Sequence, residues 1–519
     1  MIYIHKIIKN PIKDGIELGE ELKRNVGMAS LIIFITSIFD KDKLKDVFEG
    51  MKQHISLDNL IGCSTGGTFV GKNYINEDGV LILAFDELYK SAISCEKVNK
   101  DAKDVGRKIA EKIKTCIRNK YQKLDIDDNF LGFIFFDWDR DSEQEILDVL
   151  GRELSIPIVG GTAADDGSFD KFFQIYKGEI IRDGCVFGVI GGKLKFDLIY
   201  GHGYEPTDIY ARVTKAEGRV VYELDGKPAY QRYLEMISEY IKLPKHIVEK
   251  YLRKERERLI DIDFHLIPPL GYMDTNGNYI TAYLEKIEDN ALVFRRRLVE
   301  GTFLILMKTN IEKQISSLTE ELKKKEKFES PLAFINECYA RKVLKSSMFR
   351  EPKGNLPEYL LNFYNAYKKV KKVANYCIIE DDCIGWLTYG ETIAKDLVRF
   401  HNNLSFTGVI FELSQDGKIN WKEELKNFNF EDDEIEVISN LINKQLTAKD
   451  LLQITNLGQT KLYQTLNKLE NEGIIKSIGG KPKLYYIDNI KEILQKTHER
   501  IEQENLVKKI KREKLLRML

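Results

Sequence analysis

Runs of apolar residues recur in the first half of the chain at an interval of about one hundred residues. Residues 31–35 form one uninterrupted apolar run, and residues 131–136 form a second. Each run is followed by an acidic corner and then by apolar residues at helical spacing, over 43–54 in one copy and 142–154 in the other. Apolar runs of this length predict buried strands. The pattern therefore predicts two related strand–helix units.

Both units continue with a second strand that ends in a turn of small residues. The first turn is Ile61 to Gly67 and the second is Val159 to Asp166. Each turn leads to a further predicted strand that begins with glycine, at 79–85 and 184–190. Two related α/β halves follow from this repetition, and we assign them to a duplicated α/β domain over residues 1–229.

The next two hundred residues show a different pattern. A helix-rich stretch at 230–260 precedes strands, and residues 274–278 have the composition of a hairpin turn. A charged segment of helical periodicity covers 310–328, and strands return over 375–411. We interpret residues 230–430 as a second, α+β domain.

Two helices and a short turn follow a first short helix at 432–444. Thr447 is a natural N-cap with Asp450 three residues later, which is the spacing of a capping box. The helix that starts there ends at Thr455, and a three-residue turn joins it to a helix over 459–472. Helix, tight turn and helix are typical of a helix-turn-helix motif.

A β-hairpin is predicted directly after this motif. Gly473 is a C-cap, and two short strands at 474–477 and 483–487 flank a turn at 479–482. Such a hairpin is a wing, so the segment 431–488 resembles the winged-helix regulators common in prokaryotes. The fold class is thus α/β and α+β in several domains, closed by a winged helix.

Double-stranded DNA is the partner that this domain predicts. Residues 446–519 hold 15 lysines and arginines against 9 aspartates and glutamates, whereas the whole chain has a net charge of −1. A solvated charge-rich surface or a winged helix that contacts only protein would have the same charge balance. The predicted phosphate contacts are Lys476, Lys481 and Lys483. The predicted major-groove side chains are Gln459, Thr460, Lys461, Tyr463 and Gln464.

The last residues, 489–519, have apolar positions at helical spacing among many charges. A dimerising helix explains them, because winged-helix readers commonly bind palindromic sites as two-fold dimers. A solvated terminal helix is the alternative. We expect a homodimer.

Five motifs in the body of the chain resemble the FIST family, a two-part sensory domain of prokaryotic signalling proteins. The N-terminal part is marked by Gly62 to Phe69, Gly160 to Asp166 and Val221 to Ala229. The C-terminal part is marked by Cys338 to Arg341 and by Gly385 to Glu391, before a strand that runs to Phe411. The resemblance covers residues 25–412 and implies binding of a small ligand, with amino acids and their derivatives the proposed class, and transmission to an attached output domain.

Physical reasoning on the same turns gives a set of candidate ligand contacts. Hydroxyls and backbone N–H groups in glycine turns can hold a carboxylate, acidic side chains can bind an ammonium group, and arginine offers a fork for a second carboxylate. Ordinary turns, helix caps and internal ion pairs are the structural alternatives. The candidates are Cys63, Ser64, Thr65, Thr162, Asp165, Asp166, Arg341, Tyr389 and Glu391.

The composition limits the classes of protein to which the chain can belong. Seven cysteines without a CxxC pair indicate neither a disulfide framework nor a zinc site. No apolar stretch is long enough to span a membrane, so we expect a cytoplasmic protein without metal or cofactor. We expect a ligand-responsive transcriptional regulator rather than an enzyme. An enzyme acting on an amino-acid-like metabolite and a protein-interaction signalling scaffold are the alternatives, and Cys63, Cys338 with His401, and Cys383 are the candidate nucleophile sites for the enzyme.

Overall fold

In a computed structural model of the chain, the apolar runs of the sequence become central strands of sheets. The chain forms two units, Met1–Leu413 and Ser414–Leu519. The structure describes residues 1–71, 73–98, 101–121, 129–137, 142–249, 268–274, 277–309, 311–339, 383–395, 398–402, 404–413, 425, 430–441, 446–455, 457–479 and 482–487.

The strands and helices of the first unit follow one another in a repeating order. Its strands are β1 Ile2–Ile7, β2 Leu31–Thr36, β3 Leu60–Ser64, β4 Thr68–Val70, β5 Asn73–Ile75, β6 Gly79–Phe85, β7 Lys90–Lys97, β8 Leu131–Phe136, β9 Ile158–Thr162, β10 Gln174–Tyr176, β11 Glu179–Ile181, β12 Gly184–Gly191, β13 Phe196–Gly201, β14 Glu205–Glu217, β15 Val220–Leu224, β16 Lys227–Pro228, β17 Leu270–Met273, β18 Tyr279–Ala282, β19 Leu284–Glu288, β20 Ala291–Phe294, β21 Phe303–Lys308, β22 Pro331–Cys338, β23 Cys383–Thr388, β24 Glu391–Lys395, β25 Val398–Asn402 and β26 Phe406–Glu412. Its helices are α1 Pro11–Val26, α2 Lys41–Lys52, α3 Ala102–Lys120, α4 Glu143–Leu154, α5 Ala229–Ile241 and α6 Ile311–Leu322, and a 3-10 helix covers Lys323–Lys327.

Three six-stranded sheets of the first unit have the same construction. Sheet A has the order β1-β6-β2-β3-β10-β11, sheet B has β7-β12-β8-β9-β24-β25, and sheet C has β13-β26-β22-β23-β4-β5. In each sheet the two central strands are parallel, as β2 and β3 are, and their other neighbours are antiparallel. The body therefore contains three copies of one unit, whereas the sequence pattern predicted two.

The third copy is split in the sequence by an inserted lobe. Its leading strand β13 and its helix α6 are separated by residues 205–308, which form strands β14 to β21 and helix α5. These strands build a sheet of their own with the order β18-β17-β21-β14-β15-β20-β19. The short strand β16 pairs with β15 in addition. The insertion interrupts the hundred-residue period, and this is why periodicity alone found only two copies.

Each copy donates its hairpin to the sheet of another copy. The hairpin β4–β5 of the first copy completes sheet C, β10–β11 of the second completes sheet A, and β24–β25 of the third completes sheet B. The exchange is cyclic, so every copy both gives and receives one hairpin. The domain boundary predicted at residues 229/230 falls inside the inserted lobe, where helix α5 begins.

The inner faces of the three sheets share one apolar core. Phe85 of sheet A contacts Phe133 of sheet B, and Phe133 contacts Phe334 of sheet C, with ring centroids 6.3 and 6.1 Å apart. All three rings are buried. The outer faces are covered by helices, α1 and α2 on sheet A and α3 and α4 on sheet B. Burial on both faces explains why the central strands are apolar throughout.

The second unit contains the predicted helix-turn-helix and wing. Its helices are α7 Asp432–Leu441, α8 Ala448–Ile454 and α9 Gln459–Asn471, and its strands are β27 Leu446–Thr447, β28 Lys476–Ile478 and β29 Leu484–Tyr486. The Thr447 side chain accepts from the N–H of Asp450, and the Asp450 carboxylate accepts from the N–H of Thr447, so the capping box is confirmed. Strand β29 pairs with both β27 and β28. Among the described residues, no helix has the length and apolar character needed to cross a membrane.

Candidate functional site

The two glycine turns of the sequence meet a third turn of the same kind. Ser64, Thr162 and Thr388 end strands β3, β9 and β23, and these are equivalent positions in the three sheets. We call residues 64–67, 162–166 and 388–391 the turn junction. Motifs from the N-terminal part and from the C-terminal part of the FIST resemblance therefore come together at one place.

The hydroxyl groups at the turn junction bond to the protein main chain. Ser64 Oγ donates to the carbonyl of Ala164 at 2.8 Å and accepts from the N–H of Phe173 at 2.9 Å. Thr65 Oγ1 lies 2.6 Å from the carbonyl of Leu387 and accepts from the N–H of that residue. Both side chains are fully buried. These hydroxyls tie the copies together, and ligand contacts through them remain a prediction.

Thr162 is connected to a half-buried histidine of the exchanged hairpin. Its Oγ1 lies 3.2 Å from His401 Nε2, and Thr392 Oγ1 lies 2.8 Å from His401 Nδ1. Burial, with a smaller effect of the nearby Arg296 and Arg295, lowers the pKa of His401 from 6.5 to about 3. The ring is therefore neutral at physiological pH and bonds to two hydroxyls. These contacts occupy both ring nitrogens of His401, the histidine that the alternative enzyme hypothesis pairs with Cys338.

We expect His401 to make the first unit less stable in acid. Its folded-state pKa lies below its unfolded-state value, so between pH 6.5 and about 3 the unfolded chain binds a proton that the folded chain does not. Stability therefore falls as pH falls through this window, by up to about 1.4 kcal/mol per pH unit. Urea unfolding at pH 7 and pH 5 should show a larger loss for the wild type than for His401→Gln. Equal losses in both proteins would contradict the prediction, and His246→Gln, at an exposed histidine, is the control.

Asp165 organises the loop that follows the second turn. Its carboxylate accepts hydrogen bonds from the N–H groups of Gly167, Phe169 and Lys171 at 2.9 to 3.1 Å, and from the hydroxyl of Tyr389. Burial acts to raise the pKa of Asp165, but the hydrogen bonds from Tyr389 and the main chain outweigh it, and the pKa is lowered. Asp165 thus has the capping role that the sequence left open beside a ligand role.

The outer rim of the turn junction is aromatic and charged. Phe169 is 48% exposed, has a left-handed backbone with φ of 61°, and stacks on Tyr389 with ring centroids 4.7 Å apart. Tyr339 packs edge-on against Tyr389 and donates to the carbonyl of Asp166. Asp166 is exposed and pairs with Lys171 at 2.8 Å. The sequence analysis missed Phe169 and Tyr339, although both lie within three residues of predicted contacts.

Three further predicted contacts have distinct positions. Cys63 is buried, and burial raises the pKa of its thiol well above the usual value, which disfavours a reactive thiolate. Glu391 is buried, and its Oε2 accepts from the N–H and the hydroxyl of Ser405. Arg341 lies outside the described residues, two positions after Tyr339.

The second unit exposes the side chains predicted to contact DNA. Helix α9 buries Leu462, Leu466 and Leu469 and leaves its opposite face exposed. Lys461 pairs with Asp433 at 3.1 Å, and Lys483 of the wing lies 3.7 Å from Glu470. Lys481 and residues 489–519 lie outside the described part of the chain, so the third wing contact and the dimer helix stay predictions. The exposed residues of the predicted groove-facing set are Gln459, Thr460, Lys461, Tyr463 and Gln464.

Comparison with protein families assigns three segments of the chain. Residues 30–227 match the FIST N domain, and residues 230–394 match the FIST C domain. Residues 425–490 match the family described as sugar-specific transcriptional regulator TrmB. The FIST matches cover most of the three-copy body, and the TrmB match covers the winged helix.

The chain is also similar to individual proteins of other organisms. The chain is 78% identical to an uncharacterized protein of Methanocaldococcus jannaschii over 519 residues and the full length of both. It is 29% identical over 120 residues to an uncharacterized protein of Aquifex aeolicus, covering 22% of this chain and 44% of that protein. One solved structure, of the archaeal chromatin protein TrmBL2, matches 20% of this chain and 42% of its own, with 26% identity and a TM-score of 0.17.

Proposed function

Since this chain belongs to the FIST family and ends in a TrmB-family winged-helix domain, we propose that it is a ligand-responsive transcriptional regulator. The observation that carries the proposal is the presence of a sensory module and a DNA-binding domain in one polypeptide. A ligand that binds the sensory module and prefers one of its conformations shifts the population towards that conformation. The attached winged-helix domain responds with a change in DNA affinity. As a DNA reader the protein acts as a homodimer, through residues 489–519.

The ligand is a small carboxylate or zwitterion, such as an amino acid. The buried hydroxyls of Ser64, Thr65 and Thr162 hold the turns in position, and contact with the ligand falls to the rim. Asp166 is exposed there and binds the ammonium group of the ligand. Arg341, two positions after Tyr339, binds its carboxylate. The stacked rings of Phe169 and Tyr389 provide an apolar wall.

The sugar specificity in the TrmB family description does not transfer to this proposal. The TrmB match covers residues 425–490, which form the winged helix and its flanks. The sensing part of this chain is instead of the FIST type and covers residues 30–394. The nature of the ligand therefore follows from the turn junction.

We expect a cognate amino acid to change DNA affinity about 5- to 150-fold, the usual range for two sites coupled by 1 to 3 kcal/mol. The full chain would be screened by calorimetry against the twenty amino acids and common dicarboxylates, and its affinity for a selected duplex measured with and without each binder. Asp166→Ala and Arg341→Gln should abolish ligand binding and leave DNA binding without ligand unchanged.

The control is Asp208→Ala, which removes an exposed carboxylate of the inserted lobe and should leave both affinities unchanged. If none of the compounds binds the wild type, or if a ligand binds and the DNA affinity does not move, the protein is not the proposed sensor. Binding that survives both rim substitutions would place the ligand elsewhere in the body.

A further inference from the structure

A second pocket lies between the inserted lobe and the hairpin β24–β25. It has a volume of about 750 Å³. The lobe contributes residues from β14, β17, β18 and β21, and β25 contributes Arg399 and Phe400. The pocket is distinct from the turn junction, and no sequence motif pointed to it.

Arg296 lines this pocket, and two of its guanidinium nitrogens have no hydrogen-bond acceptor among the described residues. It lies 4.7 Å above the ring of Tyr272, so its planar face is covered by an aromatic side chain. Its Nε and Nη1 atoms are buried, and no described residue accepts a hydrogen bond from either. A partly buried charge and buried donors without acceptors both destabilise the folded state. Burial also lowers the pKa of Arg296 below its usual value.

The charges around this group leave a place for an anion. Arg399 lines the pocket as a second cation, and its Nη2 donates to the carbonyl of Gly151 at 3.3 Å. Asp274 is the acidic lining residue, and its Oδ1 already accepts from the N–H of Asn278 at 2.8 Å. Asp148 lies near both arginines, but its Oδ1 accepts from Gln144 and burial raises its pKa, which weakens it as a counter-ion.

The remaining walls are apolar and partly open. Tyr210 and Phe303 are 57% and 51% exposed, and their rings pack edge to face with centroids 5.8 Å apart. Met273 is 56% exposed beside them. Aromatic pairs and methionine at the mouth of a pocket favour a flat or aliphatic body, while the few polar groups fix its orientation. The pocket therefore combines two cationic side chains, Arg296 and Arg399, with a broad apolar surface.

We propose that the Arg296 pocket binds a small organic anion, a carboxylate or a phosphate monoester attached to a flat apolar body. The anion accepts hydrogen bonds from Nε and Nη1 of Arg296, which have no acceptor in the described part of the chain, and the body lies against Tyr210, Phe303 and Phe400. The next residue of β25, His401, bonds to Thr162 of the turn junction, so the strand that lines this pocket also reaches the other site.

The test is ligand-observed fluorine NMR on the full chain, with 4-fluorobenzoate and 4-fluorophenyl phosphate as probes and 4-fluorobenzyl alcohol as the neutral comparison. We expect at least one anionic probe to bind at least tenfold more tightly than the alcohol. Arg296→Gln should weaken that probe tenfold or more, because a charged hydrogen bond is removed, and should keep or raise the melting temperature, because an unpaired buried charge is removed.

The matched control is Arg297→Gln, which changes net charge equally one residue away. The Arg297 side chain is 60% exposed, pairs with Glu145 and does not line the pocket, so this variant should bind the probes like the wild type. Preference for one anionic probe identifies the acid group, carboxylate or phosphate. Failure of both anions to bind, equal affinity for the alcohol, or unchanged binding by Arg296→Gln would overturn the proposal. Asp166→Ala, at the turn junction, should leave probe binding intact, so this test is independent of the proposed function.

Discussion

Replacing Lys476, Lys481 and Lys483 together by Ala should weaken binding of the full chain to every duplex sequence alike. Lys476 and Lys483 are exposed beside helix α9, where a wing lies along the phosphate backbone. Each lysine that neutralises a phosphate releases a counterion and adds about 0.9 to the slope of log affinity against log salt. The slope should therefore fall by about 2.7 in the triple variant, and affinity at low salt by more than tenfold.

The measurement is fluorescence anisotropy with random-sequence and selected duplexes over a range of salt concentrations. Lys45, Lys52 and Lys323 are exposed lysines of the first unit with side chains 65%, 49% and 58% accessible. Their joint replacement by Ala removes the same charge and should leave the slope unchanged. An equal loss in both triple variants would mean that net charge, and not the wing, governs binding. Gln464→Ala, by contrast, should weaken only the selected sequence, by about 1 to 3 kcal/mol.

Replacing Gly160 by Ala should unfold or severely destabilise the first unit. Gly160 has φ of +149°, and an added Cβ would lie 2.0 Å from the carbonyl oxygen of Ile134 in the neighbouring strand. Backbone of this central sheet cannot move without breaking the ladder between β8 and β9. A strained conformation and a main-chain overlap together should cost about 3 kcal/mol or more.

Gly226→Ala separates the two contributions. Gly226 also has a positive φ, of +73°, but nothing lies within 4 Å of an added Cβ, so only the conformational penalty of about 1 to 2 kcal/mol applies. Urea unfolding followed by near-UV circular dichroism gives both values. Similar losses for the two variants would show that the close approach of β9 to β8 contributes little.

The local elements could be predicted from the sequence because local patterns determine them. Strands at 31–35, 79–85 and 131–136 and the Thr447–Asp450 capping box were confirmed, since each depends on neighbours a few residues away. The third copy was missed because an insertion hides its period. The exchange of hairpins was missed as well, because pairing between β4 and β23 has no local signature.

The candidate site, too, was predicted from the sequence only in part. Sequence motifs identified the three segments that meet at the turn junction, but not that Ser64 and Thr65 would bond to main-chain groups of other copies. The Arg296 pocket could not have been predicted from the sequence, because Arg296 is one of three consecutive arginines and nothing local sets it apart. Only packing distinguishes the half-buried Arg296 from its exposed neighbour Arg297.

The cyclic exchange of hairpins also determines when the body can fold during synthesis. Val70 pairs with Ile384, and Gly161 pairs with Glu391, so sheets B and C remain incomplete until almost the entire body has left the ribosome. Contacts this distant in sequence make folding slow, because the loop must be closed before pairing compensates for its entropy. Until then the edges of β9 and β4 are open templates for strands of other chains. A nascent chain of this kind depends on whatever shields those edges until residue 402 emerges.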